Sequence, residues 1–347
     1  MKAVVFSYTR RGARLSLSVG TGLEELGYEV TLYTSAKFVG EASTLQLSAG
    51  CKQDTKQAFA TSSVIIYIGA CGIAVRAIAP HIINKTVDPA VLSIDEGGHY
   101  VIPLLAGHIG GANAVARKLA ETLGAEPVVT TATDINGLFA VDEWAAKNKI
   151  HLDDLTAAKA FAAALVDGKP VGVVSEYPIS GTLPQGLVLA TTGEVGLVLA
   201  PQAKFKPFTV TLNLIPASFY LGIGCRRHTP LAAIEELVLP QLESLGLSMQ
   251  AVAAVCSVDL KQDEVGLLAF AAKYQVPAHF YTAAALAAQP GEFAHSDLVQ
   301  SVVGVDNVCE RAAVLGAQGK LCLKKTSKNG VTLAIAERKT VIDFHKL

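Results

Sequence analysis

Short apolar runs that alternate with longer amphipathic segments most limit how this chain can fold. Apolar runs at residues 3–8, 64–68 and 91–94 each have the length of a strand. Residues 13–26 carry apolar side chains at helical spacing, and Gly27 follows where a helix favours glycine. Alternation of this kind is typical of βαβ units around a parallel sheet. We therefore expect a Rossmann-like α/β fold in the N-terminal region.

The pattern continues beyond what one hydrophobic core supports, because the chain has 347 residues. Residues 201–216 are rich in Lys and Pro and less periodic, which predicts a linker or an edge strand. We predict a multidomain α/β protein with parallel or mixed sheets. Its parts are an N-terminal α/β domain with the Gly- and His-rich site loops (1–137), a central α/β segment and linker (138–216), and a separate C-terminal α/β domain (217–347).

Charge and motif content exclude several classes of function. A net charge of −1 does not attract nucleic acid electrostatically. No apolar run reaches the roughly 18 residues of a membrane span. The six cysteines form no CxxC pair, which predicts reduced structural thiols in a cytoplasmic protein. Phosphate-loop, HExxH and GxSxG motifs are absent, which argues against nucleotide hydrolysis, zinc proteolysis and esterase chemistry.

A glycine turn after the strand at residues 64–68 is a candidate anion site. Gly72 lies at the predicted start of a helix, and Arg76 follows one turn later. Backbone N–H groups and the helix dipole favour a carboxylate or phosphate there, which Arg76 could clamp. The alternative is a tight turn with Arg76 in a surface ion pair.

The stretch at residues 95–113 carries the densest set of candidate residues. His108 stands beside Gly110 and Gly111, which predicts an imidazole near backbone donors, as needed to activate a water beside a developing oxyanion. Glu96 and Asn113 lie in the same stretch. The alternative is a polar hairpin turn at residues 95–99 and His108 as a helix cap.

Two further loops follow predicted strands. Asp134 lies in a hydroxyl-rich loop and is either an acid or base facing the same crevice or an ordinary cap, whereas we read Asp142 as a surface residue. Arg226 and Arg227 could hold carboxylates, the alternative being a solvated basic turn. As a dinucleotide fingerprint this loop lacks the third glycine.

Several motifs together resemble one family. They are GIAVR (72–76), PLLAGHIGGAN (103–113), TTATDINGLFAVDEWA (130–145), GIGCRR (222–227), SVDLK (257–261), GVDNVCERA (304–312) and KNGVT (328–332). In this order they closely resemble the cobalt-precorrin-5A hydrolases of cobalamin biosynthesis, also called CbiG. The resemblance covers nearly the whole chain, although residues 150–216 contribute little.

The resemblance implies a reaction that composition does not reveal. Members of this family open the δ-lactone of a ring-contracted cobalt-precorrin and release a two-carbon fragment as acetaldehyde, which gives cobalt-precorrin-5B. The substrate carries the cobalt, so the resemblance implies no cofactor and no protein metal site. It implies a small-molecule tetrapyrrole partner, with no nucleic acid and no membrane; contact with other corrin-pathway enzymes and homo-oligomers are left open.

Our hypothesis assigns roles to the candidate residues within this reaction. His108 is the base or proton shuttle, the amides of residues 110–113 are oxyanion or carboxylate donors, and Glu96 or Asp134 is the acid. Gly72, Arg76, Arg226 and Arg227 bind substrate carboxylates.

The final domain resembles a module found elsewhere in cobalamin synthesis, so Asp306 and Asn307 could shape a tetrapyrrole cleft. Alternatively, residues 306–311 simply begin a helix. Two rival functions are a non-catalytic tetrapyrrole carrier or scaffold of the same pathway and a dinucleotide-dependent oxidoreductase.

Overall fold

The computed structural model describes residues 1–42, 45–47, 50–84, 87–108, 110–295, 300–301 and 304–345. The chain forms two compact units, Met1–Glu143 and Trp144–Leu347. None of the helices in these described ranges is long and apolar enough to cross a membrane. The predicted division at residues 137/138 and 216/217 stays a prediction.

The first unit is built on one seven-stranded sheet. Its strands are β1 (Lys2–Ser7), β2 (Glu29–Thr34), β3 (Leu45–Leu47), β4 (Val64–Ile68), β5 (Ala90–Ile94), β6 (Tyr100–Leu105) and β7 (Glu126–Pro127), in the order β3-β2-β1-β4-β5-β6-β7. Neighbours are parallel except β5 and β6, which are antiparallel. The first five strands have the order of a doubly wound Rossmann sheet, as predicted.

Helices cover both faces of this sheet. They are α1 (Arg10–Glu25), α2 (Cys51–Thr61), α3 (Cys71–Ile78), α4 (Ala112–Leu123), α5 (Ala132–Ile135) and α6 (Val141–Lys147), with short 3-10 turns at Val39–Glu41 and Ala79–His81. α1 and α4 pack on one face, and α2 and α3 pack on the other. Every residue of β4 is therefore buried, which explains why its sequence is apolar throughout.

The second unit contains two five-stranded sheets and one strand pair. The strands are β8 (Ile150–Leu152), β9 (Val171–Ser175), β10 (Ile179–Ser180), β11 (Leu187–Leu189), β12 (Gly193–Leu199), β13 (Phe208–Pro216), β14 (Phe219–Cys225), β15 (Val252–Val258), β16 (Ala278–Tyr281), β17 (Lys320–Lys328), β18 (Val331–Glu337) and β19 (Ile342–Asp343). The sheet orders are β11-β9-β12-β13-β8 and β16-β15-β14-β18-β17, while β10 pairs with β19. Both large sheets mix parallel and antiparallel pairs, which confirms the mixed α/β prediction.

The helices of this unit cover the two sheets. They are α7 (Leu155–Val166), α8 (Leu231–Ser244), α9 (Val265–Lys273), α10 (Ala283–Ala287) and α11 (Cys309–Ala317), with 3-10 turns at Met249–Ala251 and Asp259–Lys261.

The prediction of a linker or edge strand at residues 201–216 was wrong for its second half. β13 is an interior strand that pairs with β12 on one side and β8 on the other, and its last six residues are buried. Pro207 precedes β13, and Pro216 is its last residue. Neither proline therefore interrupts the hydrogen bonds in the interior of the strand.

Candidate active site

A tight turn joins β6 to α4 and carries His108. Ala106 and Gly111 have positive φ values of 55° and 80°. A Cβ atom at Gly110 would lie 2.4 Å from that of Ala106, and one at Gly107 would lie 2.9 Å from the Asn113 side chain. The glycines are therefore needed so that the chain can fold back on itself within a few residues.

The backbone amides of this turn are mostly used within it. The N–H groups of Gly111, Ala112 and Asn113 donate to the carbonyls of His108, Ala106 and Gly107 at 2.9 to 3.1 Å. These amides are not free to bind an oxyanion or a carboxylate, which corrects the role proposed for Gly111 and Asn113. Within the described ranges, the Gly110 N–H has no acceptor.

His108 lies between two carboxylates. Its Nε2 is 2.9 Å from Asp134 Oδ2, and its Nδ1 is 3.6 Å from Asp142 Oδ1. The hydroxyl of Thr133 lies 3.2 Å from Nε2. The imidazole is 16% exposed, so it is held by its neighbours yet can be reached from solvent.

Asp134 is the centre of a hydrogen-bond network at the start of α5. Its Oδ1 accepts from Arg117, and its Oδ2 accepts from Thr131 and from Asn113 Nδ2 at 3.0 Å. The same Oδ2 lies within hydrogen-bond distance of His108 Nε2. Burial alone would raise the pKa of Asp134, but the hydrogen bonds from Thr131, Arg117 and His108 lower it to about 2. Asp134 is thus ionised at neutral pH.

Sequence reasoning missed three members of this network. Asp142, read as a surface residue, faces the imidazole from the first turn of α6. Thr131 and Arg117 bind Asp134 directly. Asn113 and Arg117 are four residues apart on α4, so their common face was available from helical spacing.

Other candidates of the first unit lie at the opposite edge of the sheet. β6 is antiparallel to β5, with Ile94 paired to Val101 and Val91 paired to Leu105. The turn that holds Glu96 therefore lies at least one strand length, roughly 17 Å, from the turn that holds His108. Glu96 is exposed, and the structure does not bring it to the His108 cluster. This cluster consists of the imidazole and the side chains linked to it directly or through Asp134, namely His108, Asn113, Arg117, Thr131, Thr133, Asp134 and Asp142.

Gly72 and Arg76 share the edge of Glu96, because β4 and β5 are parallel. Arg76 is exposed and donates to the Gly72 carbonyl at 3.2 Å. No carboxylate in the described part of the chain forms an ion pair with it. The hypothesis that groups Glu96 and Arg76 with His108 was wrong, because residues 95–99 form the polar hairpin turn of our alternative and reverse the chain before β6.

In the second unit, Arg226 and Arg227 follow β14 as predicted. Arg227 binds both carboxylate oxygens of Asp263 at 2.9 Å in an exposed pair. Arg226 packs beside Gly330 and has no ion-pair partner in the ranges that the structure describes. Both guanidinium groups lie where a carboxylate from solution can reach them.

Asp306 and Asn307 are engaged within the chain. Asp306 binds Arg311 at 2.7 and 3.2 Å. Asn307 is 1% exposed, and its amide donates to the Ala294 carbonyl and Glu310 while accepting from the Glu310 N–H and from Cys309. All the hydrogen-bonding capacity of Asn307 is used, so we withdraw it as a substrate ligand and retain it as a support of α11.

Family models match three consecutive parts of the chain. "Cobalamin synthesis G N-terminal" matches residues 53–134, "Cobalamin biosynthesis central region" matches residues 139–216, and "Cobalamin synthesis G C-terminus" matches residues 219–336. The His108 cluster begins inside the first match and reaches Asp142 in the second.

Two curated relatives are similar to nearly the whole chain, and both are named cobalt-precorrin-5A hydrolase. The protein from Salmonella typhimurium is 37% identical over 318 residues, which is 88% of this chain and 90% of the relative. The protein from Priestia megaterium is 30% identical over 360 residues, with coverages of 96% and 94%. The crystal structure of a cobalamin biosynthesis protein G homolog from Sulfolobus solfataricus is 19% identical over 97% of both chains, with a TM-score of 0.42.

Proposed function

Because this chain belongs to the cobalamin synthesis G family of cobalt-precorrin-5A hydrolases, we propose that it opens the δ-lactone of cobalt-precorrin-5A at the His108 cluster. The products are cobalt-precorrin-5B and acetaldehyde. The observation that supports this site is a reachable imidazole with a carboxylate at each ring nitrogen. An imidazole in this setting suits the transfer of a proton from water and back to a leaving group.

The lactone opens by addition of water to its carbonyl carbon. His108 takes one proton from the water while the oxygen attacks, and the carbonyl electron pair moves to its oxygen. The tetrahedral intermediate collapses, the acyl C–O bond breaks, and His108 returns its proton to the departing alkoxide. The alcohol thus formed then gives its O–H proton to His108, which has become free to accept one, as its carbon–carbon bond to the macrocycle breaks. The electron pair of that bond stays with the macrocycle, and acetaldehyde leaves.

Asp134 does not suit the role of proton donor. A carboxyl group with a pKa of about 2 has no proton to give at neutral pH. We therefore replace its proposed role as an acid with one in holding His108. We propose the Gly110 N–H and the outer part of Arg117, which is 42% exposed, as donors to the lactone oxygens.

The substrate is a polycarboxylate, whereas the protein carries a net charge of only −1. Local cations must therefore hold its carboxylates, and we propose Arg226 and Arg227 for this role. Cobalt enters with the macrocycle, so the proposed reaction asks for no cofactor. We further propose that the enzyme works in the cytoplasm, which accords with six free thiols.

The rival function is a carrier that binds the tetrapyrrole without converting it. Mixing the protein with cobalt-precorrin-5A and measuring acetaldehyde distinguishes the two, because a carrier releases none. We predict that His108→Ala lowers the turnover number by about 100-fold or more, as loss of a general base does, while substrate still binds.

The matched control is His99→Ala. His99 directly precedes β6, whereas His108 follows the other end of that strand. The Nδ1 of His99 lies 3.3 Å from Asp95 Oδ2. We expect this variant to keep its activity. Near-native turnover by a folded His108→Ala protein would refute the proposed site without refuting the family's activity.

A further inference from the structure

We infer that Nδ1 of His108 is the nitrogen that accepts the proton of the attacking water, that Asp142 holds this water, and that Asp134 is a positioning residue that leaves Nδ1 unprotonated. This inference rests on the proposed function and specifies the reacting atom within it. Neither the motifs nor the comparisons assign roles to Asp142 or to the individual ring nitrogens.

The protonation of the ring follows from the contacts of Nε2. Asp134 is ionised and can only accept, and its Oδ2 lies 2.9 Å from Nε2. A lone pair on Nε2 would face this carboxylate oxygen at hydrogen-bond distance, which is repulsive. Nε2 must therefore carry the hydrogen. A neutral imidazole has only one N–H, so its lone pair is on Nδ1.

Other residues keep Asp134 in place for this task. Thr131, Asn113 and Arg117 all donate to its carboxylate, so the group cannot rotate away from Nε2 without breaking those bonds. Thr133 is the further polar neighbour of Nε2, and its hydroxyl can accept from the same N–H. The network thus fixes which nitrogen is basic as well as where the ring lies.

Nδ1 and Asp142 lie close enough for one water molecule, placed to one side of the line between them, to contact both. Asp142 Oδ1 is 3.6 Å from Nδ1, which is too far for a direct hydrogen bond. Asp142 Oδ1 already accepts from the Glu143 N–H at 3.0 Å, so it acts as an acceptor here. A water about 2.8 Å from both atoms can donate one hydrogen to each. Its lone pairs then point outward, away from both acceptors.

The water molecule then reacts from this position. The water O–H bond to Nδ1 breaks, Nδ1 gains the proton, and the oxygen forms a bond to the lactone carbonyl carbon. The imidazolium that results has N–H groups on both nitrogens, facing Asp134 and Asp142. These two carboxylates, with Arg117 behind Asp134, stabilise the imidazolium as it forms.

The first test reads the ring directly and does not depend on turnover. ¹⁵N-detected NMR of the full chain labelled at histidine, with His108→Gln used for assignment, shows which nitrogen carries the proton in the neutral form. Spectra recorded at increasing pH identify the neutral form by its ¹⁵N chemical shifts. We expect Nε2 to be protonated and Nδ1 to be bare. A proton on Nδ1 would overturn the inference, even if His108→Ala is inactive and the proposed function stands.

The second test separates positioning from structural support. In Asp134→Asn we expect the single tautomer to be lost and kcat to fall by about 100-fold to 10,000-fold with little change in KM. In Asp142→Ala the tautomer should persist while kcat falls by about 10-fold to 100-fold. Glu121→Gln, which removes an exposed carboxylate from α4, is the control.

Two results would contradict the assignments. An unchanged tautomer in a folded Asp134→Asn protein would show that Asp134 does not position the ring. Native kcat in Asp142→Ala would show that Asp142 does not hold the water.

Discussion

Asp134 illustrates how one residue takes its role from its neighbours and not from its type. A carboxylate that is 11% exposed is costly to ionise unless donors replace its water. Four donors do so, and they come from the β6–α4 turn, from α4 and from the loop before α5. Asp134, proposed from the sequence as an acid, is therefore a hydrogen-bond acceptor at neutral pH.

The same donors make stability depend on pH through Asp134. Its pKa is lower in the folded state than in the unfolded chain, so its contribution is present above the unfolded value of 3.8 and is lost as pH falls towards about 2. We predict that the difference in unfolding free energy between wild type and Asp134→Asn narrows by about 1 kcal/mol between pH 6 and pH 3. Urea denaturation followed by circular dichroism measures it, and a difference that does not change with pH would contradict the ionised network.

At the scale of elements, the site depends on the direction of β6. Periodicity predicted the strands and helices well because buried strands such as β4 are apolar throughout. The apolar pattern alone did not show that β6 runs against β5. The hairpin turn that we kept as the alternative at residues 95–99 requires that direction, because five residues are too few for a parallel crossover. This reversal separates His108 from Glu96 and Arg76 and places it beside Asp134. Asp142 was missed for a related reason. Its role depends on the first turn of α6 lying beside His108, and the sequence pattern does not show that contact.

A two-residue strand near the C-terminus leads to a prediction about stability. β19 pairs with β10, and Phe344 beside it is 2% exposed and stacks on Trp144 at 5.1 Å. The Trp144 indole donates to the Asp343 carbonyl at 2.9 Å. We predict that Phe344→Ala lowers the unfolding free energy by about 3 kcal/mol, because the buried ring leaves a cavity.

The only tryptophan of the chain reports on this change. Its fluorescence should shift to the red as water reaches the indole. Val341→Ala, at an exposed position just before β19, is the control and should leave stability and emission nearly unchanged. An unaltered melting temperature in Phe344→Ala would mean that the strand pair contributes little.

For the whole molecule, the near-neutral net charge limits how the protein can bind its substrate. A net charge of −1 does not attract a polycarboxylate from a distance, so binding must come from individual cations. Charge-assisted hydrogen bonds contribute about 1.5–3 kcal/mol each when the partner is available. Arg227 contributes less than Arg226, because Asp263 already binds it and the substrate has to compete.

We therefore predict that replacing Arg226 and Arg227 together by Ala raises KM by about 10-fold to 100-fold and leaves kcat nearly unchanged, because carboxylate anchoring is equal in the ground state and the transition state. Acetaldehyde release at increasing substrate concentration measures both constants. The control is Lys159→Ala with Lys320→Ala, which removes two positive charges at exposed positions elsewhere. A similar rise in KM in that control would show that overall charge, and not this loop, governs binding. A fall in kcat at constant KM would show instead that the arginines act on the reacting atoms.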